Sequence, residues 1–267
     1  MNRMTALAAI AVGAAFAGLA FSGFTRGVAQ QDAPISDEFS ADQEAAIRAI
    51  VADYIARNPE AVIDALNAYS AAEDAREAER MSAAQKDALP YLASDDGAYV
   101  AGADIGAAKV AVIEFFDYHC SFCKRANGLV RELTADDPSV KVVFREFPIL
   151  KEESELAARY ALAAREQGKY LEMHFAMMDE RGTITEARAI ELAAELGLDA
   201  DRLKRDAGDA KLRKALARNY GVAKDIGVDG TPGFLIAALD GSFIQLVPGF
   251  RPDEIKSAIV DAKKSAS

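Results

Sequence analysis

At 267 residues, 51% of them hydrophobic, the chain has enough apolar material for one or two domains around packed cores. Its formal charge of −11 argues against nucleic-acid binding, which needs a basic face. It has only two cysteines and two histidines, so a structural zinc site, which wants four ligands, would have to draw on His119 and His174 as well as both thiols.

Arg3 is followed by a small and apolar run from Ala6 to Phe24, and Gly27-Val28-Ala29 offers the small residues that a signal peptidase reads. Residues 1–29 are therefore expected to be a secretory signal peptide, which places the protein in the periplasm, where disulfides form and persist. The alternative is an uncleaved membrane anchor, since the run approaches the ~20 residues needed to span a bilayer. No cysteine near the cleavage point would support a lipid anchor.

Residues 30–40 read as a polar leader with Pro34. Beyond Ser40, the residues Ile47, Ile50, Val51, Tyr54 and Ile55 follow helical spacing, and Asn58-Pro59 ends that helix and opens the next. The next carries Val62, Ile63, Leu66 and Tyr69, then becomes an Ala- and charge-rich stretch expected to be a solvated helical linker. Two short helices cannot bury such stripes alone. They require either the following domain or further copies of themselves, which sets residues 30–75 apart as an oligomerisation domain and 76–94 as a linker.

The chain from Ala88 to Ala107 is turn-rich, with a short strand near Tyr99. Val110 to Phe116 reads as a buried strand and Lys124 to Leu133 as a helix, with Cys120-Ser121-Phe122-Cys123 at the junction. A CxxC there is a redox or metal candidate. Backbone N–H groups and the helix dipole favour an anion at a helix start, so Cys120 is expected to be the nucleophile with a lowered pKa, and Cys123 the resolving thiol. A purely structural bridge would close too short a loop to constrain much of the unfolded chain. The two thiolates could also hold Cu(I).

After the turn Asp136 to Ser139, Val140 to Phe147 is a second strand, which makes a parallel βαβ unit. Residues 152–226 carry no strand signal and form an inserted helical subdomain, with helices expected at Glu152 to Gln167, Lys169 to Glu180, Glu186 to Leu196 and Lys211 to Ile226, punctuated by Gly168, Gly182, Gly197 and Gly221. Phe234 to Ala238 and Phe243 to Val247 flank Asp240-Gly241 as a hairpin, and Pro252 to Ala262 is a last helix.

The order βαβ, helical insertion, ββα, with CxxC opening the first helix, resembles the thioredoxin fold of the DsbA-like family over residues 95–265. Glu114-Phe115-Phe116 before the CxxC, Phe144-Arg145-Glu146-Phe147-Pro148, Ser154, the Ala157-Ala158 and Ala163-Ala164 pairs and Thr231-Pro232 all carry the likeness. The arm, with Tyr54-Ile55-Ala56-Arg57-Asn58-Pro59-Glu60, is similar to the N-terminal domain of the suppressor-of-copper-sensitivity C subgroup. The expected fold class is thus α/β: thioredoxin-like with an inserted helical subdomain, preceded by an α-helical arm.

The resemblance implies a catalytic set of Cys120, Cys123, Glu114, Thr231 and Pro232, with Cys120 and Cys123 as the redox-active pair. Pro232 is expected to be cis and to face Cys120, leaving the Thr231 backbone to pair with an extended substrate. His119, Phe122, Thr231 and Pro232 are the candidates to line the substrate groove. His119 either stabilises the thiolate or merely lines that groove. Glu114, desolvated on its strand, is a candidate proton relay for Cys123, the alternative being an ion pair with a lysine. His174 is expected to be a satisfied structural histidine. The chain departs from the strongly oxidising members, which carry Pro-His between the cysteines where this one has Ser121-Phe122. Its couple is therefore expected to be less oxidising.

These readings converge on an exported thiol:disulfide oxidoreductase, a disulfide isomerase or reductase acting on unfolded or mis-oxidised exported proteins, recycled by a membrane redox partner and assembled as a homo-oligomer, with a trimer as the expected number. No cofactor and no nucleic-acid partner are expected. The alternatives are a monomeric dithiol oxidase, a copper-binding protein using Cys120, Cys123 and His119, and a structural interaction protein.

Overall fold

A computed structural model describes residues 39–102 and 104–266. The expected signal peptide and nearly all of the leader lie outside the described residues. Among the described residues no helix is long and apolar enough to cross a membrane.

The chain divides into two compact units at Leu66/Asn67. The first holds helix α1 (Ala41–Arg57) and the start of α2 (Pro59–Leu92). Ser40 caps α1 with a full capping box: its hydroxyl accepts from Gln43 N–H while the Gln43 side chain accepts from Ser40 N–H. α1 buries none of its residues, and Ile50, Tyr54, Ile63 and Leu66 are all more than half exposed.

The second unit is built on a mixed five-stranded sheet in the order β1-β3-β2-β4-β5, from β1 (Tyr99–Ala101), β2 (Val110–Phe116), β3 (Val140–Glu146), β4 (Gly233–Ala238) and β5 (Ile244–Pro248). β2 and β3 are parallel and joined through α3 (Ser121–Asp136); the other pairs are antiparallel. Every residue of β2 is buried, as a central strand covered on both faces must be. Its alternation sends Val110, Val112 and Phe116 to the core shared with α3 and the inserted helices, and Ala111, Ile113 and Phe115 to the core closed by the end of α2. Glu114 falls on the first face, among apolar neighbours. In the β4–β5 turn, Gly241 takes φ +77°, a conformation that favours glycine.

The insertion comprises α4 (Glu152–Arg165), α5 (Tyr170–Asp179), α6 (Glu186–Glu195), α7 (Ala200–Ala207) and α8 (Ala210–Asp225), and α9 (Pro252–Ser265) closes the unit. Two details differ from the sequence reading. α7 was not anticipated: it is a two-turn helix capped by Asp199, too short to show periodicity although it buries Leu203 and Ala207. Gly221, expected as punctuation, lies inside α8, where tertiary packing outweighs its weak helix propensity.

The expected linker also differs. α2 runs unbroken through Pro90 to Leu92, and its last turns are core rather than solvated linker: Leu89 and Leu92 are buried, and Gln85 donates to the Ile226 carbonyl at 3.0 Å. Arg145, fully buried on β3, explains how the helix can end there. Its guanidinium donates to the carbonyls of Tyr91, Leu92 (3.2 Å), Ser94 (3.0 Å) and Asp96 (2.5 Å) and to the Asn219 side chain (3.1 Å). These are the acceptors that a helix end and the loop after it leave open. Burial lowers its pKa to about 10, so it stays charged at neutral pH. Arg145→Ala should destabilise the protein by about 3 kcal/mol or more in urea unfolding, because it orphans several buried carbonyls together. Arg145→Lys should recover little of that, since an ammonium lacks the planar fork.

Candidate functional site

β2 delivers the chain to a tight corner, Asp117 to Cys120, before α3 begins. Asp117 organises it. Its Oδ1 accepts from His119 N–H (2.7 Å) and the Ser154 hydroxyl (2.8 Å), its Oδ2 from the N–H groups of Ile149 (2.9 Å) and Leu150 (3.0 Å), and its carbonyl from Cys120 N–H (3.0 Å). One buried carboxylate therefore ties together the end of β2, the CxxC segment, the loop after β3 and α4. Nothing in the sequence around Asp117 signalled this, because three of its partners lie more than thirty residues away.

Cys120 is the N-cap of α3, and its sulfur accepts from Cys123 N–H at 3.4 Å. Its pKa is lowered to about 6. The Cys123 thiol donating to it is the largest cause; burial opposes, and the Thr231 hydroxyl and the N–H groups of Cys123 and Phe122 assist. Cys123 moves the other way: burial pushes its thiol up, and both its donation to Cys120 and the Glu114 charge add to this.

The Thr231–Pro232 peptide is cis, and the Cys120 thiol donates to the Thr231 carbonyl at 3.2 Å. The Thr231 hydroxyl is buried without a partner while Cys120 is a thiol. It becomes a donor to that sulfur once the thiolate forms, which accounts for its effect on the Cys120 pKa. Glu114 is fully buried and its pKa is raised to about 8, by desolvation first and then by the Cys120 charge. It makes no ion pair among the described residues, so the lysine alternative has no partner to stand on.

His119 is corrected by the structure as a groove residue. Its side chain is 3% exposed; Nε2 accepts from Ile184 N–H (3.0 Å), which leaves Nδ1 as the N–H that donates to the Ser154 hydroxyl (2.9 Å). Burial lowers its pKa, so the ring is neutral. It is a fixed link between the CxxC corner and the helical insertion, with both ring nitrogens engaged, and no group of three metal-ligating side chains forms among the described residues. Phe122, by contrast, is 52% exposed beside the thiol.

Two further clusters went unread in the sequence. Lys124 donates to the carbonyls of Met177 (3.1 Å), Met178 (3.2 Å) and Glu180 (2.7 Å), where α5 ends. Under the corner, Glu146 accepts from the Tyr118 (3.0 Å) and Tyr170 (2.9 Å) hydroxyls, and His174 meets Tyr118 at 3.1 Å with its pKa lowered by burial to about 3. His174 is thus a neutral, satisfied core residue, as its apolar helix implied.

The DSBA-like thioredoxin domain family matches residues 111–260, a span that includes the CxxC, the insertion and the cis-proline loop. This chain belongs to that family. A thioredoxin-like oxidoreductase from Silicibacter pomeroyi DSS-3 is 40% identical to it, with 65% of this chain and 96% of that one covered and a TM-score of 0.59. BcfH of Salmonella enterica Typhimurium is 27% identical, covering 83% and 96%, with a TM-score of 0.62. A Proteus mirabilis ScsC variant shares the fold at 23% identity and a TM-score of 0.59, covering 85% and 98%. The Na(+)/H(+) antiporter NhaA 3 of Salinispora tropica is 34% identical over 131 residues, which are 48% of this chain and 20% of the antiporter. The chain spans about a fifth of the length of the curated relatives it matches.

Two measurements follow. The alkylation rate of Cys120 against pH should have its midpoint near 6, and Cys123→Ala should move it upward by removing the largest stabilising donor. Glu114 carries a separate stability signature. Between about pH 4.5 and 8 the native state holds a proton on Glu114 that the unfolded chain has lost, so stability falls as pH rises through that window. Glu114→Gln lacks this loss, and its stability relative to wild type should grow across the window by on the order of a few kcal/mol, with no divergence from this source below it.

Proposed function

We propose that the protein is an exported thiol:disulfide oxidoreductase that reduces and reshuffles disulfides of mis-oxidised proteins through Cys120 and Cys123. The observation that carries this is the opposed pair of thiol pKa values, one lowered to about 6 and one raised, at the N-terminus of α3 and against the cis-proline loop. The Cys120 thiolate attacks one sulfur of a substrate disulfide, forming a Cys120–substrate bond and expelling the other sulfur as a thiolate. In isomerisation a second substrate thiolate attacks the substrate sulfur of that bond, and Cys120 leaves unchanged. In reduction Cys123 gives its proton to ionised Glu114 and attacks Cys120, releasing the substrate thiolate and leaving a Cys120–Cys123 disulfide. Two electrons have then passed to the substrate, and a membrane dithiol partner must return them. A group exchanging its proton near pH 8 is suited to the relay. The half-buried Thr231 backbone and the exposed Phe122 are read as the substrate contacts.

The preference for isomerase over oxidase rests on the arm. Its exposed stripe of Ile47, Ile50, Val51, Tyr54, Ile63 and Leu66 is the kind of apolar surface that marks an interface, and helices of this sort associate through such stripes. BcfH covers 83% of the chain, well beyond the family match, which supports treating the arm as one functional piece with the catalytic unit. Copies held together present several thiolates around one scrambled substrate. We take residues 30–75 as the oligomerisation domain and the export reading from residues 1–29 as part of this proposal.

Refolding of a scrambled disulfide protein should be accelerated by the reduced mature protein and not by Cys120→Ala, while Cys123→Ala should accumulate mixed disulfides visible by mass spectrometry. Paired Ile50→Glu and Leu66→Glu changes should lower the mass seen by light scattering and the refolding rate together. A monomeric wild type, found mostly as the disulfide in cells, would move the assignment to an oxidase.

A further inference from the structure

We infer that Arg125 selects substrates: it reads a carboxylate next to the substrate cysteine, so that the dithiol prefers disulfides flanked by aspartate or glutamate. This deepens the function proposed above and rests on it.

Lys124 and Arg125 follow the CxxC in the chain and Lys151 acts on His119 beside it, and the two lysines are already engaged. Lys124 is spent on three carbonyls at the end of α5, and Lys151 donates to the Thr183 hydroxyl at 3.2 Å. Arg125 is different. It is exposed, its guanidinium makes no ion pair or hydrogen bond among the described residues, and its carbon lies 3.9 Å from the centroid of the Phe122 ring. Most arginines elsewhere in this acidic chain, including Arg131, Arg165, Arg188 and Arg218, have carboxylate partners. The side chains of Arg80, Arg181 and Arg205 likewise make no ion pair or hydrogen bond among the described residues; what sets Arg125 apart is its place in the first turns of α3, over the Phe122 ring.

The stacking fixes more than a charge. A guanidinium lying on an aromatic face keeps its in-plane N–H donors directed outward past the ring edge, while losing less side-chain freedom on binding than a free chain would. Phe122 sits between the two cysteines and is half exposed, so a substrate segment that brings its sulfur to Cys120 passes over this pair. It would meet an apolar surface and, beside it, a planar fork shaped for a carboxylate. The first turn of α3 has no acidic residue to compete for that fork, and the positive end of the helix dipole adds to the same preference.

The test uses three cysteine peptides of one sequence activated as 2-thiopyridyl mixed disulfides, with Glu, Gln or Lys following the cysteine, mixed with the reduced full-length protein. Thiopyridone release gives each rate constant. Ratios between peptides on the same protein, divided by the ratios measured with a small free thiol, cancel differences in the acidity of Cys120 and in the peptides' own reactivity. The Glu/Gln ratio should be about two to five, the size an exposed ion pair supports, and should shrink as salt is raised. Arg125→Gln should bring it to about one, Arg125→Lys should keep part of it, and Arg125→Glu should favour the Lys peptide.

A wild-type ratio of one with rapid thiopyridone release, or a ratio unchanged in Arg125→Gln, overturns the selection by Arg125 and leaves the dithiol reading standing. A reduced wild-type protein reacting no faster than a small free thiol with any of the peptides defeats the dithiol reading itself.

Discussion

The sulfur–sulfur hydrogen bond from Cys123 to Cys120 sets the chemistry of the site, because one contact moves two thiols in opposite directions. It lowers the first pKa and raises the second. An attacking thiol must be ionised and reachable, while a resolving thiol must stay silent until the mixed disulfide forms. Once Cys120 is bonded to a partner it carries no charge, so the donation to an anion is lost and with it one of the causes that hold the Cys123 proton. The switch from waiting to resolving therefore follows from the bond that the first step makes.

That contact survives only if the start of α3 is held rigidly against the cis-proline loop, and Asp117 supplies the anchor on the opposite side. A carboxylate accepting from two loop N–H groups, one N–H of the CxxC corner and one serine hydroxyl fixes four chain segments at one point. His119 extends the hold to Ile184, and Lys124 to the end of α5, so the CxxC is pinned to the helical insertion from both of its flanks. The inserted helices are in this sense the frame of the site as well as its cover.

The parts of this that could be read from sequence are those written in local pattern. The uninterrupted apolar run of β2, the CxxC at its end, the Asp240-Gly241 turn and the Thr231-Pro232 pair each carry a signal within a few residues, and the parallel pairing of β2 with β3 follows from the βαβ pattern. Asp117 and Lys124 carry none, and Arg145 is legible only as part of a family motif and not in its role, because their partners are backbone groups between 30 and 60 residues away. His119 shows the reverse failure. Adjacency to Cys120 makes it a candidate to stabilise the thiolate or to line the groove, yet the tight corner turns its ring toward Ser154. The end of α2 was hidden for a third reason: a proline and a run of small and charged residues imply a linker unless one knows that a buried arginine receives the helix's last carbonyls.

A pKa near 6 also bears on how readily the Cys120 sulfur attacks and leaves. At neutral pH a thiol of that acidity is about nine-tenths thiolate, so little is gained in reactive fraction by acidifying it further. Further acidification would weaken its intrinsic nucleophilicity and stabilise the reduced form, which drives a couple toward donating its disulfide. Here the donors are a neighbouring thiol, a threonine hydroxyl and two backbone N–H groups, all uncharged, and the histidine that could have contributed a full positive charge is neutral and turned away. Dipoles alone shift a thiol less than a nearby cation does. The result is a sulfur acidic enough to leave a mixed disulfide readily and basic enough to attack a new one.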